Sequence, residues 1–500
     1  MKNYVCLIFT ALLCCLLSFQ SVVFGAEMNK VLIGPQPNTT DQPNSSFDNQ
    51  QNLHIHMSDP TFRTYRIIVP HRHLDGTVSP DLSLTLNKFS EHLAKLLEQS
   101  LFFQSKKLPV YEPPHFIWPE KGMSLVSWMA QRDGKATQED RIADLVLFTR
   151  VTSSQGNKTN HRYEFLLADL QARMVTLQVT REFTQSSSHE LLAWSYELAD
   201  KILARYTGQS GLYSSRLVFI GRKAKGTSKQ VFTCRLDGSD LQQITRHDSI
   251  HLSPSWSADG RKIFFTSYRS GDPDLYVYDL STKKIKPISA HPGIDSGGQS
   301  DNNSSWVVLS GLGKHDTDIF MVPEDGGIRR LLIQGKGLDV DPTFSPDGRY
   351  LAYVSGRFGN PHIFLAELRR TVLGSLQVVQ DMRLTWAGWY NGNPAFSRDS
   401  EKIAFAGYDK EIDRFDIFTM NRSGRNLERL TLKSGDNESP SWSPNDQLIV
   451  FHSNRKGRNS KGVPALYVMR RDGSSQIKIP VPLYSAQTPA WGPRVSHEKD

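Results

Sequence analysis

Pro342-Thr343-Phe344-Ser345-Pro346-Asp347-Gly348 is a short aromatic strand running into a tight turn, and it recurs along the chain. Related copies stand at Pro254-Ser255-Trp256-Ser257-Ala258-Asp259-Gly260, Pro394-Ala395-Phe396-Ser397-Arg398-Asp399-Ser400 and Pro440-Ser441-Trp442-Ser443-Pro444-Asn445-Asp446, with a shortened copy at Pro489-Ala490-Trp491-Gly492-Pro493. In the leading copy proline presets φ at the second place of a type I turn and glycine suits the fourth. An apolar strand follows each full copy, as in Leu351-Ala352-Tyr353-Val354 or Ile403-Ala404-Phe405-Ala406. A polar loop then leads to a third strand, such as Ile363-Phe364-Leu365-Ala366, and a tight turn to a fourth, such as Arg383-Leu384-Thr385 or Arg429-Leu430-Thr431. Four antiparallel strands per repeat make a propeller blade.

The starting prolines lie 88, 52, 46 and 49 residues apart; the first gap spans two repeats, so a degenerate copy is expected near Gln299. Ser305-Trp306-Val307-Val308-Leu309-Ser310 reads as its second strand. Residues 216–248 contain strands and the Asp237-Gly238 turn but no opening strand, whereas the motif at Trp491 is an opening strand with none after it. Joined, the two complete a sixth blade and remove the free sheet edges that invite aggregation. An open solenoid explains neither fragment.

The remaining sequence divides by composition. With 500 residues, 38% hydrophobic and 22% charged, the chain has room for two or three domains and lacks the repeated long apolar spans of a polytopic membrane protein. A net charge of +8 is too modest to argue for nucleic acid. Lys2 followed by the apolar run Tyr4–Phe19 and the small residues near Gly25 and Ala26 predict a signal peptide over 1–25. Its removal takes Cys6, Cys14 and Cys15 and leaves Cys234 alone, so no intramolecular disulfide is expected. Residues 26–52, rich in Pro, Asn, Ser and Thr, predict a disordered tail. Residues 53–210 predict an α+β domain. Leu53-His54-Ile55-His56-Met57 alternates like an edge strand, Ser79-Pro80 opens a helix continued by Leu82, Leu86, Phe89, Leu93, Leu96 and Leu97, and Leu191–Tyr206 is a second helix stopped by Gly208. Strand-like runs cover Tyr65–Val69, Ala143–Val151, Tyr163–Leu170 and Met174–Thr180. The propeller takes 211–494 and a short tail 495–500.

This order of parts resembles the TolB family, the periplasmic component of the Tol–Pal system. The resemblance rests on the repeats, on Tyr206-Thr207-Gly208-Gln209-Ser210-Gly211 leading into Arg216-Leu217-Val218-Phe219, and on the ending Pro489–Pro493. It implies a non-catalytic scaffold without cofactor or metal. The propeller is expected to bind the peptidoglycan-associated lipoprotein Pal and the amino-terminal segment the inner-membrane protein TolA, supporting outer-membrane integrity and constriction during division. By matching motif positions, the Pal face is expected in loops before the Pro-x-aromatic strands, at His251, Ser253, Val340, Asp341, Asn393 and Glu438, and the TolA segment at Leu53, Ile55 and Met57. Asp295-Ser296-Gly297-Gly298-Gln299 departs from the family pattern in a loop of that same face.

Asp259, Asp347 and Asp399 are expected to satisfy turn backbones rather than act as acids, and Trp256, Phe344, Phe396, Trp442 and Trp491 to wedge between blades rather than stack on sugars. His54 with His56, and His71 with His73, share a strand face but lack a third ligand. The basic runs Arg222-Lys223-Ala224-Lys225 and Arg455-Lys456-Gly457-Arg458 are expected in solvated loops. Two alternatives remain: a propeller binding a small molecule or glycan in its central channel, and a propeller-containing hydrolase, although no Gly-x-Ser-x-Gly elbow occurs.

Overall fold

A computed structural model describes residues 64–69, 80–105, 143–153, 160–172, 174–184, 188–208 and 211–493, the last without 304, 315, 373, 433 and 457–459. The expected signal peptide with its three cysteines, the polar tail, Leu53, Ile55 and Met57, the histidines at 54, 56, 71 and 73, the Ser79 cap and the tail 495–500 lie outside the described residues.

The amino-terminal part is built from β1 (Tyr65–Ile68), α1 (Pro80–Gln99), β2 (Phe103–Ser105), β3 (Leu145–Ser153), β4 (Asn160–Asp169), β5 (Met174–Thr184) and α2 (Ser188–Thr207). One sheet, ordered β2-β1-β3-β4-β5, pairs β1 in parallel with β2 and β3, and β3, β4 and β5 antiparallel. The helical stripe Leu86, Phe89, Leu93, Leu96 and Leu97 is buried, as are Leu191, Trp194, Leu198, Ile202 and Leu203 of α2. Trp194 sits 4.9 Å from Phe165 and 5.4 Å from Phe183, ring centre to ring centre, so helix and sheet lock through aromatics. Gly208, at φ 74°, ends α2 in the left-handed conformation that terminates helices. The sequence missed β2, whose three residues are too few to show a period.

From Leu217 onward the chain forms six four-stranded antiparallel sheets. The inner strands of the first five blades are His251–Trp256, Asp295–Ser300, Asp339–Phe344, Tyr390–Phe396 and Asn437–Trp442. The sixth blade is composite: Ser485–Trp491 pairs antiparallel with Leu217–Arg222, placing Trp491 opposite Leu217 and Ala490 opposite Val218. The degenerate second blade is complete, with Trp306–Leu312 as its second strand.

Both faces of each sheet are buried, which is why the second strands read as unbroken apolar runs rather than alternating ones. In the third blade Leu351, Tyr353 and Phe364 pack with Val308 and Ile319 of the second, while Ala352, Ile363 and Leu365 pack with Phe396 and Ile403 of the fourth. The wedges behave as expected. Trp256 packs against Val218 and Ile220 and donates its indole N–H to the Ala490 carbonyl at 3.3 Å, and Trp442 donates to Ala395 at 3.1 Å, each bond crossing to the preceding blade. Cys234 is buried and free, with burial pushing its thiol up to about 12. That leaves it an inert core residue.

The turn carboxylates also serve the backbone. Asp259, Asp347 and Asp399 accept from the backbone N–H of Arg261, Arg349 and Glu401 at 3.0, 3.0 and 2.9 Å, and from the hydroxyls of Ser257, Ser345 and Ser397. The fourth turn position has positive φ in every full copy: 71° at Gly260 and Gly348, 64° at Ser400 and 55° at Asp446. A non-glycine residue is strained there. Its compensation is a bond to the neighbouring blade: the Ser400 hydroxyl accepts from Asp347 N at 3.1 Å, and the Asp446 carboxylate from Arg398 N at 2.6 Å and Asp399 N at 2.9 Å. Asp446→Gly relieves strain yet loses both bonds, so it is expected to lower stability by about 1–3 kcal/mol. A urea midpoint equal to or above the parent's contradicts this tether.

Candidate functional site

Six bulges define the inner wall of the ring. Each inner strand loses register with its neighbour at one two-residue step: 253–254, 297–298, 341–342, 393–394, 439–440 and 488–489. The first residue of each step is left-handed, with φ 47° at Ser253, 69° at Gly297, 52° at Asp341, 50° at Asn393, 52° at Ser439 and 48° at Thr488. Proline follows in five of the six. A bulge residue needs no ladder donor, so the missing proline N–H leaves nothing unpaired. In the second blade, glycines at 297 and 298 achieve the same bend by freedom rather than rigidity.

The left-handed residues are linked around half of the ring. Asn393 donates through Nδ2 to Asp341 Oδ2 at 3.1 Å, and the Ser439 hydroxyl donates to Asn393 Oδ1 at 3.5 Å. Burial raises the Asp341 carboxyl above its ordinary value, and the two donors on Asn393 offset part of that. Nearby, Glu438 Oε1 is 3.8 Å from His452 Nε2. Burial drives His452 down to about 4, so the imidazole is neutral near pH 7 and the pair carries no ion-pair energy there.

The expected partner-face residues are therefore placed differently from their reading as loop residues. His251, Ser253, Val340, Asp341, Asn393 and Glu438 all lie within inner strands. His251 is 1% exposed, its ring nitrogens lack a hydrogen-bond partner, and burial lowers it to about 4. Its side chain is a core element of the first blade and cannot present itself to a partner. Ser253, Val340, Asp341, Asn393 and Glu438 are half-buried along the ring's inner wall. Val340 and Glu438 hold regular ladder places, whereas at Ser253, Asp341 and Asn393 the bulge itself re-aims the side chain.

A second ring lies where each inner strand begins. The residues two places before the bulges are His251, Asp295, Asp339, Asn391, Asn437 and Ala486, all buried. Two of them meet a polar residue near the start of the preceding blade's third strand: Asn391 contacts His362 at 3.0 Å, and Asn437 donates to Asp416 at 3.0 Å. The partner of Asp339 in this scheme is Asp318, whose charge adds to the burial that raises the Asp339 carboxyl to about 6.

One repeated feature escaped the sequence reading. Ser267-Tyr268-Arg269, Ser355-Gly356-Arg357 and Ser453-Asn454-Arg455 end the second strands of the first, third and fifth blades. Their guanidiniums lie 5.4, 4.6 and 4.2 Å from the ring centres of Tyr276, Phe364 and Tyr467. Glycine (Gly221, Gly311, Gly407) takes the serine's place in the alternate blades. Arg455 was expected in a solvated loop; it instead donates to Ser453, Gln476 and Asn437. Lys223, Ala224 and Lys225 are exposed, as expected. The recurring Ser-x-Arg was the available signal.

Where the two halves of the chain meet, Ser195 Oγ is 2.8 Å from His92 Nδ1 and Asp237 Oδ2 is 3.3 Å from His92 Nε2. The arrangement has the residue types of a hydrolytic triad, but Ser195 is fully buried and donates its hydroxyl to the Leu192 carbonyl at 2.6 Å. A nucleophile needs access and a free lone pair aimed at substrate. With Tyr196 also donating to Asp237 at 3.0 Å, these groups clamp α1 and α2 to the sixth blade. Among the described residues, no group of three or more His, Cys, Asp or Glu could hold a metal ion, and no helix is long and apolar enough to cross a membrane.

The family model described as "TolB beta propeller domain" matches residues 203–495. A protein TolB homolog of Chlorobium luteolum is 35% identical over 180 residues, an alignment covering 36% of this chain and 40% of that protein. The Tol-Pal system protein TolB of Bordetella pertussis is 26% identical over 373 residues, 74% of this chain and 79% of the relative. The crystal structure of TolB from Acinetobacter baumannii covers 86% of this chain and 97% of its own at a TM-score of 0.68 and 21% identity, a likeness of fold.

Proposed function

The chain belongs to the TolB β-propeller family, and from that premise we propose that it is a non-catalytic periplasmic scaffold of the Tol–Pal system. In this reading the propeller holds a Pal-like outer-membrane lipoprotein and residues Leu53, Ile55 and Met57 engage a TolA-like inner-membrane protein, so that the complex supports envelope integrity and constriction during division. The observation that carries it is the inner ring of six bulges. They turn Ser253, Asp341, Asn393, Ser439 and Thr488 inward as half-buried polar groups, several already sharing hydrogen bonds. A preorganised polar ring around a rigid β scaffold suits recognition of a protein surface, where ordering costs set affinity.

The test is calorimetric titration of the protein with the soluble domain of a Pal-like lipoprotein. Asp341→Arg is expected to weaken binding about tenfold or more, since it places a long cation where a carboxylate accepts from Asn393. Circular dichroism establishes that the variant is folded. Unchanged affinity in a folded variant removes Asp341 from the interface, and no binding by the parent protein overturns the reading.

A further inference from the structure

The third repeat is the longest, 52 residues between prolines, and it ends in a connection unlike the others. Leu384-Thr385-Trp386-Ala387-Gly388-Trp389 links the outer strand of the third blade to the inner strand of the fourth. Trp386 is 71% exposed and Trp389 52%. Phe358, in the loop between the second and third strands of the third blade, is 69% exposed. In an antiparallel blade the loop after the second strand and the connection after the fourth leave at the same end, so all three aromatics share the end at which the inner strands begin.

Two sets of contacts build them into a shelf, joined by the short connection 386–389. The Phe358 ring stacks on Phe364 at 6.0 Å, and Phe364 lies directly opposite Arg383 in the sheet. The Arg383 guanidinium stands 4.5 Å from the Trp386 ring centre, and Lys410 Nζ of the fourth blade 4.4 Å from that of Trp389. Among the described residues neither Arg383 nor Lys410 forms an ion pair, and the nearby carboxylates Asp381 and Asp409 are already held by Arg357 and Arg429 at 2.8 and 3.0 Å. Large exposed aromatics beside unpaired cations are costly for a solitary surface and typical of binding hot spots.

We infer that Phe358, Trp386 and Trp389, with Arg383 and Lys410, are a docking shelf for a protein surface that offers an apolar hollow edged by carboxylates. The inference rests on the reading that this end of the propeller docks the lipoprotein, and assigns that partner's acidic edge to the third and fourth blades. Trp389 immediately precedes the fourth blade's inner strand Tyr390–Phe396, which carries Asn393 of the inner ring. Arg383 donates to the Thr385 carbonyl at 2.7 Å, but among the described residues neither it nor Lys410 has a carboxylate partner, so charge complementarity favours an acidic partner over a neutral one.

Titrating the full chain with the lipoprotein's soluble domain tests this, with tryptophan emission and calorimetry read together. Binding is expected to shift the emission to the blue, and the double variant Trp386→Ala, Trp389→Ala to bind about 30-fold more weakly or worse. Lys410→Glu is expected to weaken binding at low salt more than at high salt. Both substitutions are at exposed positions and leave the far-ultraviolet spectrum unchanged. Parent binding with equal affinity in the double variant overturns the shelf and leaves the proposed function standing. No parent binding overturns both. An emission shift produced by soluble peptidoglycan fragments and not by the protein also overturns the shelf, in favour of a glycan ligand.

Discussion

Ending the chain at Tyr484 is expected to abolish the cooperative folding of the propeller. The removed strand pairs with Leu217–Arg222 and buries Ala486 and Trp491, 2% and 3% exposed. Trp491 also donates its indole N–H to Ser215 at 2.8 Å and its backbone N–H to Ser441 at 2.9 Å, while its carbonyl accepts from Arg398 at 2.9 Å. One strand thus bonds the sixth blade to groups in the fourth and fifth. Loss of a buried tryptophan alone costs about 3–5 kcal/mol, and a typical domain has only about 5–15 kcal/mol in hand. The truncated chain should lose its near-ultraviolet signal at 25 °C and elute early on size exclusion. A synthetic peptide spanning residues 485–493 should restore part of both, because the vacated edge is a template for the same strand. An unaltered melting temperature in the truncated chain would show that the ring does not depend on its clasp.

Asp339→Asn is expected to stabilise the protein by up to about 3 kcal/mol at pH 7.5. Asp339 is fully buried, neither carboxylate oxygen has a partner in hydrogen-bonding geometry, and the Arg357 guanidinium stands off at 3.7 Å while held closer by Asp381 and Tyr353. Burial raises its pKa to about 6 from an ordinary 3.8, with the Asp318 charge acting the same way. The folded state therefore holds the proton more tightly than the unfolded chain. The stabilisation this confers is complete below about 3.8 and is lost as pH rises through 6. The buried neutral histidines His251 and His452, lowered to about 4, act in the opposite sense over pH 4–6.5, so the comparison must be variant minus parent. That difference should grow from near zero at pH 4 to its full value above pH 6.5. Asparagine already fills the corresponding place in the next two blades, where Asn437 donates to Asp416. A urea series showing no pH-dependent difference would mean that Asp339 is not the titrating group.

Much of the architecture was legible because a blade repeats its chemistry. Aromatic wedges, Ser-Pro-Asp-Gly turns and apolar second strands recur at intervals that count blades, and the second blade was found by spacing although its proline had become Gly298. The half-copy at Trp491 identified its own partner. The candidate site was legible only as a set of positions. His251 and Asp341 are two motif places apart, yet one is sealed in the core and the other lies on the inner wall, because Asp341 is itself the first, left-handed residue of a bulge and its side chain is re-aimed. Arg455 looked like one of several solvated cations; it is folded over Tyr467, which only the pairing of its strand brings within reach. Trp386 and Trp389 would be core residues on a strand. In the connection between two blades no sheet covers them.

The amino-acid sequence by itself determined the propeller, its six blades and its closure, since these follow from hydrophobic period, turn chemistry and repeat length, all local along the chain. What only the tertiary structure decided is which polar and aromatic groups remain available to a partner. Exposure belongs to neighbouring blades rather than to a residue: the same carboxylate, cation or indole is core, tether or docking surface according to what the adjoining sheet places beside it.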